Sequence, residues 1–286
     1  MVTEADGMKR QQAAAAHYPT RDLTGGLQAI LEAAGLTDGT IAPEVLAPLD
    51  QFHVGGAAAT TDLMAKLNLG PGARVLDLGS GLGGPARAIA TAYACQVTGI
   101  DLNARFVEAA NFLSRRTGLA EQVTCVHGEA LDLPFGEAAF DAVVTQHAVM
   151  NIADRDALYA GVFRVLRAGG MFAMFDVVAG PEAGELIYPL PWAGVPADSH
   201  LLTAQATREV LQVAGFAIGV WQDVTEQAMV WNIAQIGAAR NRPDALQPLA
   251  LPLVMGADFL TMVGNLRHAI ADGKLRVVQA IVTKPA

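Results

Sequence analysis

Four groups of residues in this 286-residue chain have the types and spacing to do chemistry. The first is Val75-Leu76-Asp77-Leu78-Gly79-Ser80-Gly81-Leu82-Gly83-Gly84, where an apolar run turns into a helix-length segment. Glycine suits such a turn because a side chain would hold the backbone away from a ligand, and because tight turns often require positive φ. Gly79, Gly81 and Gly84 also satisfy G-x-G-x-x-G, so a dinucleotide site must be weighed. The second is Asp101, 24 positions after Asp77 at the end of the next apolar run, where an acid accepts hydrogen bonds from ribose hydroxyls. Asp77 itself argues against a pyrophosphate, whose negative charges an acid in the turn would repel; a ligand with an ammonium and a sulfonium tolerates it. The third is Glu129, within Gly128-Glu129-Ala130-Leu131-Asp132-Leu133-Pro134-Phe135, placed to accept from an adenine amino group. The fourth is Thr145-Gln146-His147-Ala148-Val149-Met150-Asn151-Ile152, closing a further apolar run where parallel α/β sheets place ligand chemistry. His147 is the candidate general base, because an unperturbed imidazole titrates near neutrality. The alternative is a histidine that only packs or hydrogen-bonds at a strand end.

The elements that must position these residues follow from hydrophobic period. Short apolar runs predict strands over 75–78, 96–100, 123–126, 140–145 and 171–178, alternating with helices over 85–93, 104–117 and 155–166. Such alternation implies a parallel sheet covered on both faces, since each parallel crossover needs a connection long enough for a helix. A helix over 203–214 stopped by Gly215, a strand over 216–220 and a last strand over 275–282 complete the pattern. Upstream, Thr20 is placed to cap a helix through Leu27, Ile30 and Leu31, and 60–69 reads as another amphipathic helix. Residues 1–72 therefore form an N-terminal arm with helices, and 73–286 the main domain. Two segments interrupt the alternation: 180–200, irregular with four prolines, and 226–273, helical with breaks near Pro243, Pro248 and Pro252. They read as cap insertions over a site at the strand ends, with surface decoration as the alternative.

Composition limits the partners. Apolar residues make up 52% of the chain and charged residues 16%, enough to build a large core. The net charge of −9 disfavours a nucleic-acid partner. Two cysteines, Cys95 and Cys125, indicate neither a disulfide scaffold nor a zinc site, and no metal is expected. The richest apolar stretch, 171–179, is short and interrupted by Asp176, so no membrane span is expected. The N-terminal residues lack an apolar signal core. The expectation is a cytoplasmic protein; the helical cap leaves a homodimer open.

Taken in order, Asp77–Gly83, Ile100-Asp101, Gly128-Glu129-Ala130 and Leu166-Arg167-Ala168-Gly169-Gly170 resemble the successive motifs of class I S-adenosylmethionine-dependent methyltransferases. The resemblance covers roughly residues 73–178. It implies a Rossmann-like, seven-stranded, mostly parallel sheet with an antiparallel last strand, plus helical and irregular cap segments. It also implies Gly79, Gly81 and Gly83 beside the cofactor's methionine part, Asp101 at the ribose, and Glu129 near an adenine flanked by Leu102 and Ala130. Asp77, Ser80 and Leu131 belong to the same cofactor set, and Gln146 orients the amino acid moiety. The family more often has aspartate where Glu129 stands.

Outside the core, Phe52-His53-Val54-Gly55-Gly56 with Ala59-Thr60 is similar to a segment of phosphoethanolamine and sarcosine/dimethylglycine N-methyltransferases that folds over the cofactor. By that similarity Gln51, His53 and Val54 reach the methionine end or the acceptor. Those amine enzymes commonly have aspartate at the His147 position and histidine at the Asn151 position, and both differ here. The loss of an acid suited to a cationic amine leans the expectation toward O- or C-methylation of a small molecule with His147 as base. An N-methyltransferase of a small amine remains the alternative, and a non-catalytic S-adenosylmethionine-binding protein is the alternative of another class. Asn151 and Trp192 are candidate acceptor contacts, and His200, Trp231 and Met255 candidate lining residues.

Overall fold

The computed structural model describes residues 22–286 except 183, 242, 243 and 248. Seven strands form one sheet: β1 (Arg74–Leu78), β2 (Gln96–Asp101), β3 (Val123–His127), β4 (Phe140–Gln146), β5 (Leu166–Ala179), β6 (Ala217–Asp223) and β7 (Leu275–Thr283). Their order is β3-β2-β1-β4-β5-β7-β6. The first five run parallel, and β7 is antiparallel to both β5 and β6, as the resemblance implies. The order reverses between β1 and β4, which pair through Leu78 and Thr145 at their carboxyl ends. That reversal opens the crevice in which such sheets bind ligands.

Alternation along each strand divides the core between two faces. On β1, Val75 joins one cluster with Val97, Ala142, Val144 and Phe175; Leu76 and Leu78 join the other with Ile100, Val143, Phe172 and Met174. The first face is covered by α3 (Gly56–Met64), α4 (Gly84–Tyr93) and α10 (Phe259–Ala271), through Leu63, Ile89, Leu266 and Ile270. The second is covered by α6 (Arg155–Val165) and α7 (Ala204–Val213), through Leu158, Val162 and Leu211. A third cluster joins α1 (Leu23–Ala33) and α2 (Pro43–Asp50) to α5 (Ala104–Arg116) and to α9 (Pro252–Met255), through Leu27, Leu49, Phe106 and Val254. The remaining cap helix is α8 (Thr225–Arg240). None of the described helices is long and apolar enough to cross a membrane.

Local chemistry sets the helix starts. Asn103, Asp154 and Thr203 cap α5, α6 and α7 by accepting from the backbone N–H of Arg105, Ala157 and Ala206. Asp22 caps α1 in the same way, accepting from Gly25 at 2.9 Å; the expected cap Thr20 lies outside the described residues. The helix expected at 60–69 begins and ends earlier, at Gly56–Met64. Gly55, in the left-handed region at φ 83°, starts it before Thr60, and turns at Ala65–Leu67 carry the chain out before Leu69.

Candidate active site

The glycine turn is built by backbone demand. Gly79 has φ 78°, and a Cβ there would lie 2.4 Å from the Ala148 Cβ at the end of β4. Gly81, at φ 52°, faces Phe52. Gly83 lies behind the turn as the left-handed cap of α4. The Gly79 and Ser80 N–H groups donate to the Ile100 carbonyl, which locks the turn to β2. The Gly81 N–H donates to Asp101 Oδ2 at 2.8 Å and the Asn103 N–H to Asp101 Oδ1 at 2.8 Å. Each carboxylate oxygen keeps a lone pair for a hydroxyl. Burial raises the Asp101 pKa.

Asp77 sits beneath this turn, buried, with Oδ2 lacking a hydrogen-bond partner among the described residues. Burial and the neighbouring Asp101 push its pKa up to about 7, against a smaller opposing pull from the Ala86 N–H and Arg87. Arg87 is itself wholly enclosed and paired to Asp50 at 2.6 Å, which ties α2 to α4.

One cavity of about 1520 Å³ runs from this turn to the cap. Gly79, Gly81, Asp101 and Leu102 line it at one end, with Glu129, Ala130 and Leu131 from the loop after β3. Gln146, His147, His53, Asn151 and Trp192 also reach its wall. Four expected site residues, Asp77, Ser80, Gly83 and Gln51, stand behind the wall rather than on it. Ser80 packs against Cys125, its Oγ 3.9 Å from the sulfur. Gln51 belongs to a buried polar latch: the Thr60 hydroxyl donates to Gln51 Oε1 at 2.8 Å and lies 3.2 Å from Gln146 Oε1.

His53 joins the same latch. Its Nε2 is 2.9 Å from the Gly56 carbonyl, and burial holds its pKa down to about 4. The ring is therefore neutral near pH 7 and donates through Nε2. His147 lies 6.0 Å away, ring centroid to centroid, stacked on Phe175 at 4.9 Å. Its backbone is in the left-handed region, φ 51°, a strained state for a non-glycine residue that its surroundings must hold. The His147 N–H donates to the Phe175 carbonyl at 2.8 Å, and Nδ1 accepts from the Val54 N–H at 3.4 Å. Nε2 is closed to solvent with no hydrogen-bond partner among the described residues. Burial, and secondarily His53, holds the His147 pKa well below the usual histidine range. Together these contacts fasten residues 51–60 across the end of β4.

The opposite wall is also pinned. Asn151 Nδ2 donates to the Trp192 carbonyl at 2.7 Å, and Trp192 Nε1 donates to Ser199 Oγ at 3.0 Å. Trp231 packs over Gly55, where a Cβ would lie 2.9 Å from the Trp231 Cβ. Trp231, His200 and Met255 line the cavity as expected of the cap, joined by Phe259, Leu260 and Val263. Sequence reasoning singled out the segments that hold Phe52 and Ala148 without assigning either residue its contact with the glycine turn, and it missed the buried group Arg155, Tyr159 and Asp176 behind β4. An acid inside the apolar run of β5 was the one visible sign of that group.

These residues fit S-adenosylmethionine. Side chains larger than hydrogen would fill the cradle at Gly79, a carboxylate with free lone pairs stands at the ribose position, and the neutral imidazoles place no cation against a sulfonium. Residues 76–174 match the family described as a methyltransferase domain. Over 246 residues the chain is 31% identical to a sterol 24-C-methyltransferase of Eremothecium gossypii, covering 78% of this chain and 63% of that protein's length. Its fold is similar to that of geranyl diphosphate C-methyltransferase from Streptomyces coelicolor A3(2), with TM-score 0.66 and 18% identity over 96% of this chain and 98% of that one. It is also similar to the [4+2]-cyclase SpnF, with TM-score 0.65 and 24% identity over 97% of both chains. Residues 76–174 thus carry a methyltransferase domain, the chain spans less than two thirds of the length of the sterol methyltransferase it matches, and over nearly its whole length it shares the fold of a C-methyltransferase that uses S-adenosylmethionine.

Proposed function

We propose that this protein methylates a carbon atom of a hydrophobic, isoprenoid-like small molecule. The observation that carries this reading is the cap half of the cavity, where Trp192, Trp231, Met255, Phe259 and Val263 present an apolar surface beside two neutral imidazoles. Two similar proteins, the Eremothecium sterol 24-C-methyltransferase and the Streptomyces geranyl diphosphate C-methyltransferase, support it by what they are named for. At the end of β4 an imidazole stands where a cationic amine would want a carboxylate.

In this reading the Gly79–Gly81 turn, Asp101 and Glu129 hold the cofactor, with Leu102, Ala130 and Leu131 about its adenine and Gln146 toward its amino acid part. S-adenosylmethionine, when bound, supplies an electrophilic methyl group on a sulfonium. The chain's own work is in-line positioning and exclusion of water. The latch of Gln51, His53, Thr60 and His147 closes the site, while Asn151 and Trp192 shape the acceptor wall. Indole faces at Trp192 and Trp231 stabilise positive charge that develops on an apolar acceptor. His147 takes no proton in this arrangement, because Nδ1 is engaged, Nε2 is enclosed and the ring is a weak base. We assign it to closure rather than to base catalysis.

The test supplies purified protein with methyl-labelled S-adenosylmethionine and, separately, a side-chain-unsaturated sterol, squalene, geranyl diphosphate, sarcosine, dimethylglycine and phosphoethanolamine. The expected result is label carried into a product with a new carbon–methyl bond. Label on nitrogen alone would replace the acceptor class. Cofactor binding without release of S-adenosylhomocysteine from any acceptor would point to a non-transferring role, which a fold shared with a cyclase makes worth measuring.

A further inference from the structure

The cavity wall beyond β4 holds an imidazole that the reaction above has not used. His200 lines the cavity, half-buried, and among the described residues no hydrogen bond reaches its ring nitrogens. Its backbone, by contrast, is fixed twice. The His200 N–H donates to the Met150 carbonyl at 2.8 Å, and the His200 carbonyl accepts from Arg155 at 2.7 Å. Both anchoring residues are buried. The carboxylate of buried Asp176 accepts from Val177 at 2.9 Å and from the Val149 and Met150 N–H groups. Asp176 therefore orders the turn just after His147, and that turn with Arg155 holds His200 beside it. Two buried polar groups that would otherwise only cost desolvation free energy find a role in setting one free imidazole at the carboxyl end of β4.

We propose that His200 is the catalytic residue that takes the proton the acceptor must lose, with Asp176 and Arg155 as its positioning residues. The inference rests on the carbon-methylation reading above. In the step, the acceptor's π pair forms the bond to the methyl carbon, and the sulfur–methyl pair stays on sulfur. The pair of an adjacent C–H bond then re-forms the double bond, and its proton passes to a ring nitrogen of His200 and on to solvent. His147 is excluded by its enclosed ring. Asp154 is occupied as the cap of α6, and Asp198, two residues from His200, is the competing acid on the same wall. The other charged or titratable groups around His200 are Arg155 at its carbonyl, Asp176 and Tyr159 behind it, and Arg267 at the cap end of the cavity.

Two measurements test the proposal. In the first, dodecyltrimethylammonium, an apolar cation, is added below its micelle concentration to protein saturated with S-adenosylhomocysteine, and the His200 ring is followed by NMR at fixed pH. A cation seated beside His200 is expected to move its ring resonances saturably as the ammonium is added. No such change would place the acceptor subsite elsewhere and overturn the proposal without any turnover. In the second, with whichever acceptor is methylated, His200→Ala is expected to lower kcat roughly ten-fold or more, within the range of general-base contributions. It should abolish the acid limb of the kcat profile, respond to added imidazole and leave cofactor affinity unchanged. Arg155→Lys should lower kcat less and keep the limb. An unchanged limb in His200→Ala, or its loss in Asp198→Asn instead, would overturn the assignment. Failure of every acceptor to turn over counts against the carbon-methylation reading, and the ammonium titration still decides where the subsite lies.

Discussion

The two halves of the cavity are built by different physics. At the cofactor end, between the carboxyl ends of β1–β4, the wall is mostly backbone: left-handed glycines, N–H groups spent on Asp101, and a turn locked to the Ile100 carbonyl. At the cap end, between residues 180–200 and α8–α10, the wall is side-chain surface held by packing and a few pins such as Asn265 Nδ2 to the Pro189 carbonyl at 2.9 Å. The first half tolerates almost no added atom and so specifies one ligand shape. The second is apolar, roomy and adaptable, and so specifies a class of acceptor. Substitutions should therefore separate cofactor affinity from acceptor affinity.

The largest effect is expected at Gly79. An alanine there must hold a left-handed conformation, costing about 1–3 kcal/mol, and must also displace Ala148 from a 2.4 Å approach. Gly79→Ala should weaken S-adenosylhomocysteine binding by roughly 100-fold or more in calorimetry, since strain and clash act together. Binding within about three-fold of the parent would mean that the turn is not the cradle. Next comes Asp101→Ala, which removes a charged hydrogen-bond acceptor worth about 1.5–3 kcal/mol and leaves the Gly81 and Asn103 N–H groups without it. A loss of roughly 10- to 100-fold in cofactor affinity follows from that range.

The complementary change is in the cap. Trp231→Leu keeps an apolar residue over Gly55 but removes the indole face. KM for the acceptor should rise by roughly five-fold or more, in line with the cation–π and contact contributions of a tryptophan. Cofactor affinity should stay within about two-fold, because Trp231 packs on Gly55 at the start of α3 and not on the Gly79–Gly83 turn. A matched loss of cofactor affinity would dissolve the distinction between the halves.

The same contrast explains what could be read in the sequence. Gly79, Asp101 and Glu129 were legible because backbone geometry and ribose recognition demand particular residue types at particular spacings. The succession of strands and helices along the chain was legible because short apolar runs alternate with helix-length segments. The left-handed turn at His147 was not, since positive φ is signalled by glycine or asparagine and a histidine conceals it. Nor was the group made by Arg155, Tyr159 and Asp176. Its members lie on α6 and β5, joined only through the fold, and an aspartate in an apolar run reads merely as an interruption. Residues 180–200 and 226–273 were recognisable as departures from the pattern, but packing surfaces carry no spacing rule, so the acceptor stayed unreadable.

The smallest expected effect concerns Asp77, which stands behind the wall yet can sense what the wall holds. Its folded-state pKa of about 7 lies above the ordinary 3.8, so the folded protein binds this proton more tightly than the unfolded chain does. The stability it contributes is complete below about pH 4 and is lost as pH rises through 7, at about 1.4 kcal/mol for each tenfold difference in proton affinity between the two states. Asp77→Asn does not titrate there, so the Tm of the variant relative to the parent should climb between pH 5 and pH 8 in calorimetry of the cofactor-free protein. Binding should show the opposite preference. A sulfonium nearby favours the ionised carboxylate, so the parent should prefer S-adenosylmethionine over its demethylated product more strongly at pH 8 than at pH 6. Asp77→Asn should flatten that dependence and reduce the preference by a few-fold. A pH-independent preference in the parent would show that Asp77 is a structural carboxyl only, and would leave Asp101 as the one acid of the turn that the ligand feels.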